Sequence, residues 1–173
     1  MHEYADNEQN RERPKLEIKR TTSLADFKQC ALMMSKSEPW ITLQRTYEDS
    51  LKTLKDPLKE VYIAVENGEI IAVIVLQMVG TFKGYVQSIY VDPRHRGQGI
   101  GTTLLQFAEE RIFKETSNVF ICVSSFNKSA IRLYQRLKYK RVGELKNFEI
   151  RGHSEILMRK TIGPLSELQE KVS

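Results

Sequence analysis

The feature that most constrains this chain is a glycine-rich stretch that directly follows a strand-like run. Tyr85 to Val91 is rich in β-branched and aromatic residues, which favour a strand, and Asp92-Pro93 ends the run because proline has no amide proton to donate. Apolar residues then recur with helical spacing from Ile100 to Ile112. Between the two runs come Gly97, Gly99 and Gly101. The pattern predicts a strand, a glycine turn and a helix.

A helix N-terminus of this kind is a candidate anion site. The first amides of a helix have no partner within it and lie at the positive end of its dipole, and glycine lets a ligand come close to them. Arg94 and Arg96 add donors that suit phosphate oxygens. The third glycine comes one residue too early for a dinucleotide fingerprint, and no Gly-Lys-Ser/Thr step exists. The stretch is therefore either a phosphate site of another kind or only a tight turn into a helix.

Two ordered blocks of the chain resemble the GNAT N-acetyltransferase superfamily. Arg96–Gly101 is similar to the family's acetyl-coenzyme A signature, Arg/Gln-x-x-Gly-x-Gly/Ala. Phe126–Tyr139 is similar to the family's run Asn-x-x-Ala-x-x-Leu-Tyr-x-x-x-Gly-Phe, with Lys138 where the family usually has glycine. The resemblance covers about residues 15–161 and implies an N-acetyltransferase domain there. Residues 1–14 are polar and charge-rich, so we expect a flexible N-terminal arm, and residues 162–173 form a C-terminal tail.

The order of the predicted elements indicates one α/β (α+β) domain. Asn67-Gly68 predicts a type I′ hairpin, and Val119–Val123 predicts a strand that is buried on both faces. We expect the second helix to be capped by Thr42 and to end at Asp56-Pro57. The resemblance implies a GNAT-type mixed, mostly antiparallel sheet of about seven strands with about four helices, in which strands four and five are parallel and splay apart at a cofactor cleft.

Composition narrows the classes of function. The net charge of +5 permits a polyanionic partner, but the basic residues are scattered among 22 acidic ones, so nucleic acid is not indicated. No apolar run is long enough to span a membrane, and we expect a cytoplasmic monomer or homodimer. Cys30 and Cys122 lie in apolar contexts without the spacing of metal ligands, so we expect buried free thiols and no metal.

The resemblance places acetyl-CoA in the cleft between strands four and five. The pyrophosphate would lie on Gly97–Thr102, and the pantetheine arm would pair with free backbone groups of Ile89 and Val91. Asn127 either contacts that arm or only caps a helix, and we expect His95 to face solvent. The residues predicted to bind the cofactor are Ile89, Tyr90, Val91, Arg96, Gly97, Gln98, Gly99, Ile100, Gly101, Thr102, Asn127, Ala130 and Tyr134.

Acetyl transfer to an amine requires a neutral nitrogen, a polarised thioester carbonyl and a proton for the departing thiolate. Tyr134 matches the family position that commonly protonates the sulfur, and its alternative role is that of an apolar core ring. The positions of the family's usual bases hold Cys122 in strand five and Gln87 and Ser88 in strand four, none of which is a carboxylate. The remaining candidates for a base are Glu155, Glu149 and Glu38, each of which is otherwise a surface acid.

The acceptor amine, on a small molecule or a peptide, is expected to meet Glu38, Trp40 and Gln87. Trp40 lies in the turn between the first two predicted helices, where it either contacts substrate or plugs the top of the core. The resulting hypothesis is an acetyl-CoA-dependent N-acetyltransferase that works by direct attack in a ternary complex. The alternative is a catalytically impaired CoA-binding sensor, which the missing bases would explain.

Overall fold

A seven-stranded mixed sheet forms the centre of the chain. The computed structural model describes residues 16–169. The strands are β1 (Glu17–Arg20), β2 (Lys59–Glu66), β3 (Glu69–Gln77), β4 (Tyr85–Val91), β5 (Asn118–Ser124), β6 (Lys140–Lys146) and β7 (Ser154–Thr161). The helices are α1 (Leu24–Ser35), α2 (Tyr47–Leu54), α3 (Ile100–Ile112), α4 (Lys128–Arg136) and α5 (Leu165–Gln169).

The strands are ordered β1-β2-β3-β4-β5-β7-β6, and all neighbours are antiparallel except the parallel pair β4 and β5. The predicted mixed sheet is confirmed, with one helix more than expected because the tail contains the short α5. The predicted arm at 1–14 lies outside the described residues, and the domain boundaries and the cytoplasmic location stay predictions. No helix within residues 16–169 is long and apolar enough to cross a membrane.

Each face of the sheet is covered by a pair of helices. Leu104 of α3 and Tyr134 of α4 belong to the hydrophobic cluster on one face, and Met34 of α1 and Leu54 of α2 belong to the cluster on the other. The interior strand β3 supplies residues to both clusters, which explains its unbroken apolar run of Ile70 to Leu76.

The second helix begins later than predicted. Its N-cap is Thr46 rather than Thr42, and Thr46 and Asp49 form a full capping box. The prediction was wrong because the amide of Thr42 is held by the Glu38 carboxylate at 3.2 Å, and because Gln44 has a left-handed φ of 54°, which an α-helix cannot include.

The predicted burial of β5 on both faces is also wrong. Val119, Ile121 and Val123 are buried, but Phe120 and Cys122 are only half-buried. β4 and β5 pair only at Tyr85–Phe120 and Val86–Ile121 before they diverge, so the face that carries Cys122 borders an open space. Cys30 is a buried free thiol as predicted, whereas Cys122 is free and partly accessible.

Gly84 lies where β4, β5 and α3 converge, just before the two strands diverge. Its φ is 89°, and a Cβ there would lie 2.4 Å from the carbonyl oxygen of Asn118 and 2.8 Å from Cγ2 of Ile112. The Gly84 carbonyl also accepts the Phe120 amide at 3.0 Å. A side chain at this point would push apart the three elements that set the width of the cleft.

We therefore expect Gly84→Ala to lower the free energy of unfolding by about 3 kcal/mol, from the left-handed backbone and the overpacking together. Gly80→Ala is the matched control, because Gly80 has a similar φ of 83° but no atom closer than 4.0 Å to its would-be Cβ. That variant should lose only about 1 kcal/mol. Urea unfolding monitored by circular dichroism measures both, and equal losses would show that the close contact at Gly84 is irrelevant.

Candidate active site

The cleft begins where β4 and β5 diverge. Beyond Val86, β4 is paired with β3 alone. The amide of Asp92 donates to the Ile71 carbonyl of β3 at 2.8 Å. Since bonding alternates along an antiparallel pair, the backbone groups of Ile89 and Val91 point away from β3 and into the cleft.

The glycine turn next to this cleft leaves helix amides open. Gly97 and Gly99 have φ values of 77° and 84°, and Gly99 is the N-cap of α3 without any side-chain cap. A Cβ at either glycine would meet nothing within 4 Å, so glycine is required by the backbone conformation and not by crowding. The first amides of α3, from Ile100 to Thr102, lack helical partners and border a groove.

The groove has a volume of about 860 Å³ and runs between β4, the glycine turn and α4. Every residue predicted to bind the cofactor lines it except Gln98, which is exposed and donates to the Arg94 carbonyl at 3.4 Å. Asn127 caps α4 by accepting the Ala130 amide at 3.2 Å, and it also lines the groove. Its two predicted roles are therefore compatible.

The groove carries mainly positive charge. Among the described residues that line it are three cations, Arg96, Lys128 and Arg136, and one carboxylate, that of Glu38. Arg94 is not among the lining residues, because its guanidinium is paired with Asp92, with Nη2 at 3.0 Å from Oδ2. This surplus of cations suits a polyanionic ligand.

Two details of the turn differ from expectation. The Val91 carbonyl is not free, since Arg96 Nε donates to it at 3.0 Å. His95 does not face solvent but is half-buried, with Nε2 at 3.8 Å from Glu66 Oε2 and Nδ1 at 3.7 Å from Asp92 Oδ1. The short 3₁₀ turn at Pro93–His95 directs the ring inward, towards the end of β2.

A second, smaller cavity of about 150 Å³ adjoins the groove, and we call it the acceptor chamber. Both cavities are bordered by Trp40, Ile89, Asn127 and Tyr134, so Tyr134 stands at their junction. The strands of the sheet supply Tyr85, Gln87, Cys122, Ser124 and Glu155 to the chamber. Its remaining polar wall and roof include Arg45, Asp49 and Glu149.

Tyr134 and Glu155 are the two predicted catalytic residues, and both border the chamber. Tyr134 is 4% exposed, and its pKa is raised by burial and secondarily by the charge of Glu155. Its phenol therefore keeps its proton at neutral pH and can donate it. Glu155 is 6% exposed, lies opposite Ser124 in the β5–β7 ladder, and accepts the Ser124 hydroxyl at 2.6 Å.

Burial also raises the pKa of Glu155, although the hydrogen bond from Ser124 opposes that shift. The charge of Glu149 raises the pKa further, and Arg45 lowers it. A carboxylate with a raised pKa is a stronger proton acceptor than an exposed one. The chamber thus places a proton donor and a proton acceptor around one small space.

A model of the acetyltransferase (GNAT) family matches residues 24–139. The chain belongs to this family. The expected N-acetyltransferase is thereby confirmed at the level of the family, and the comparisons give no support to the sensor alternative.

Curated relatives of this GNAT protein include the S-(2-succino)cysteine N-acetyltransferase of Bacillus subtilis, which is 36% identical over an alignment of 110 residues that covers 58% of this chain and 66% of that protein. Another is an N-alpha-acetyltransferase of Sulfurisphaera tokodaii, which is 33% identical over an alignment of 119 residues that covers 61% of this chain and 71% of that protein. A solved aminoglycoside 6′-N-acetyltransferase in complex with coenzyme A shares the fold, with a TM-score of 0.70 at 19% identity. The superposition covers 86% of this chain and 98% of that protein's chain.

The residues predicted to meet the acceptor are divided between the two cavities of this GNAT protein. Gln87 borders the chamber and accepts the Lys59 ammonium at 3.1 Å. Trp40 borders both cavities and packs edge-on against Tyr90, with ring centroids 5.9 Å apart. Glu38 is exposed and borders the groove but not the chamber. Of the three candidate bases, Glu155 and Glu149 border the chamber.

Lys138, where GNAT members usually have glycine, keeps the backbone that glycine favours. It follows the C-cap of α4 and has a φ of 71°. Its side chain is exposed and borders neither cavity.

Sequence reasoning missed Lys128, Arg136 and Arg45. Lys128 and Arg136 are the first and last residues of α4, and their position beside its apolar stripe could have indicated a groove wall. Arg45 lies in the irregular segment before α2, where no periodic pattern identifies a site.

Proposed function

We propose that this protein transfers the acetyl group of acetyl-CoA to a primary amine, on a small molecule or a peptide, by direct attack in a ternary complex. One observation carries the proposal: a cation-lined groove and a carboxylate-bearing chamber adjoin, and Tyr134 borders both. The groove suits an anionic cosubstrate, and the chamber suits an amine that arrives as a cation. The junction is where the two substrates would meet.

The residues of the groove fit acetyl-CoA. The open amides of Ile100 to Thr102, with Arg96 beside them, would hold the pyrophosphate. Lys128 and Arg136 add charge for the remaining phosphate, and the cleft side of Ile89 offers backbone groups to the pantetheine amides. When bound, acetyl-CoA supplies an activated thioester.

Glu155 would prepare the acceptor by taking its proton, directly or through water. At pH 7 an amine with the pKa of lysine costs about 4.6 kcal/mol to deprotonate, and an α-amine costs about 1.4 kcal/mol, so a buried base matters most for the first kind. Tyr134 would then donate its proton to the departing thiolate. The roles of Glu155 and Tyr134 are supported by their burial and their position around one chamber, and the role of Glu155 as proton acceptor also by its raised pKa.

The names of the relatives support an amine as acceptor. One is named for the N-acetylation of S-(2-succino)cysteine and another for the acetylation of an α-amino group. Those acceptors belong to those proteins. For this chain they support the class of a primary amine on an amino acid or peptide.

The test combines cofactor binding with turnover. Titration calorimetry should detect acetyl-CoA binding, and a thiol reagent should detect CoA release when an amine panel is added. Gly99→Ala should weaken acetyl-CoA binding at least about 10-fold, because alanine is strained at the left-handed φ of Gly99 and would shift the helix amides that follow it. Gly152→Ala is the matched control, since Gly152 has a φ of 88°, no neighbour around its would-be Cβ and no place in either cavity.

Two results would contradict the proposal in different ways. Binding of acetyl-CoA without thiol release for any amine would favour the sensor. If acetyl-CoA does not bind at all, the groove is not a site for this cosubstrate and the proposed reaction is wrong.

A further inference from the structure

An ion pair connects two walls of the acceptor chamber that are far apart in the chain. Arg45, in the segment before α2, donates through Nη2 to Oε2 of Glu149, in the β6–β7 connection. The backbone of Arg45 is anchored, because its amide donates to the Trp40 carbonyl at 2.9 Å. The hydrogen bond fixes the backbone from which the Arg45 side chain extends, and the side chain borders the chamber.

Arg45 is the one cation among the described residues that border the chamber, where it faces three carboxylates. Two of these have other partners. Asp49 accepts the Thr46 amide at 2.9 Å as part of the capping box, and Glu155 accepts the Ser124 hydroxyl. Glu149 is therefore the carboxylate that forms an ion pair with Arg45.

The pair of Arg45 and Glu149 is easily exchanged. The two side chains are 43% and 24% exposed, and ion pairs so accessible to water contribute little net stability. A guanidinium binds any carboxylate through the same fork of donors. An incoming carboxylate can therefore replace that of Glu149 at low cost.

We propose that the acceptor is a small amine that carries its own carboxylate, and that Arg45 binds this carboxylate in place of Glu149. The inference rests on the proposed acetyl transfer and deepens it by naming the acceptor class, an amino acid or a close analogue. With the carboxylate on Arg45, the amine points into the chamber, towards Glu155 and Tyr134. The charges of the chamber, one cation and several carboxylates, complement such a zwitterion.

The size of the chamber supports the same class. Its volume of about 150 Å³ is below the range of roughly 300–1,000 Å³ that is typical of drug-sized ligands. A single amino acid suits this space. A peptide chain would continue through the wall that Arg45 and Glu149 close.

The experiment compares free acids with their primary amides. The panel holds α-amino acids with short, thioether and basic side chains, the amide of each, and two tripeptides with free amino termini. The amide of an α-amino acid has the less basic amine, so deprotonation alone favours the amide. We nevertheless expect kcat/KM for the acids to be about 10- to 100-fold higher, the ratio expected for a charged hydrogen-bond pair.

Variants of the pair identify the source of that preference. Arg45→Gln should raise KM about 10- to 100-fold for acids but less than about threefold for amides, and Arg45→Lys should restore part of the selectivity. Glu149→Gln removes the competing carboxylate and should lower KM for acids. Circular dichroism and the Kd for acetyl-CoA verify folding, since neither residue borders the groove.

Each other outcome overturns a distinct claim. Equal rates for acids and amides, faster turnover of the tripeptides, or an equal loss for acids and amides in Arg45→Gln would refute the carboxylate site and leave acetyl transfer standing. A failure of every amine in the panel to cause thiol release would refute acetyl transfer itself, and the carboxylate site with it.

Discussion

Replacing Tyr134 with phenylalanine is expected to lower kcat about 100-fold and to change the Kd for acetyl-CoA less than about threefold. A positioned general acid contributes roughly 10²- to 10⁴-fold to a rate, and phenylalanine removes the proton but keeps the ring. The ring belongs to the core cluster that α3 and α4 form against the sheet, so its packing is preserved. Steady-state thiol release and titration calorimetry separate the two effects.

Tyr139→Phe is the matched control for this prediction. The two tyrosine rings have centroids 5.9 Å apart, and both are buried. Tyr139 and its hydroxyl border neither cavity, however. Its removal should leave kcat near the wild-type value. A small loss in Tyr134→Phe, no greater than that in Tyr139→Phe, would make Tyr134 a core residue only.

Glu155→Gln is expected to lower kcat/KM about 100-fold and, at neutral pH, to make the protein more stable. The loss of activity follows from the loss of the proton acceptor, because glutamine can still accept the Ser124 hydroxyl but cannot take a proton. In the wild type, kcat/KM should fall as the pH decreases through the raised pKa of Glu155, and this limb should be absent from the variant.

The gain in stability follows from the direction of the pKa shift. Burial raises the pKa of Glu155 in the folded state, so the folded protein binds this proton more readily than the unfolded chain does. The ionised group therefore destabilises the fold at neutral pH, and the penalty disappears as the pH falls and the group is protonated. Urea unfolding at neutral and acidic pH should show that the advantage of Glu155→Gln shrinks in acid.

Glu149→Gln is the control for the catalytic effect, since Glu149 borders the same chamber but is more accessible. Its kcat should fall less than that of Glu155→Gln. Equal and unchanged turnover in both variants would remove both carboxylates from the mechanism.

The sequence predicts the two catalytic candidates, Tyr134 and Glu155, from evidence of different strength. Tyr134 lies within a contiguous block that resembles a family motif. Glu155 could be proposed only by elimination, because Cys122 and Gln87 occupy the usual positions of a base. The structure places Glu155 opposite Ser124, one strand away from Cys122, so β7 brings a carboxylate to the face where β5 has none.

Local patterns predicted the parts of the fold that depend on near neighbours. The glycine turn, the cap at Asn127 and the hairpin at Asn67-Gly68 each depend on backbone preferences that act over a few residues, and each is found. The start of α2 was missed because Thr42 is also a suitable cap by residue type, although only Thr46 is followed by the Asp49 of a capping box. The contact of Glu38 with the Thr42 amide and the left-handed backbone of Gln44 keep the helix from starting at Thr42.

The sequence by itself thus determined the order of elements, the helix amides that open onto the groove and the family. Only the tertiary structure decided what borders the acceptor chamber. That space exists because β4 and β5 pair at two positions and then diverge, and its walls come from segments as distant as Arg45 and Glu149. No local preference links residues so far apart, since their proximity results from the packing of helices and a hairpin around the sheet.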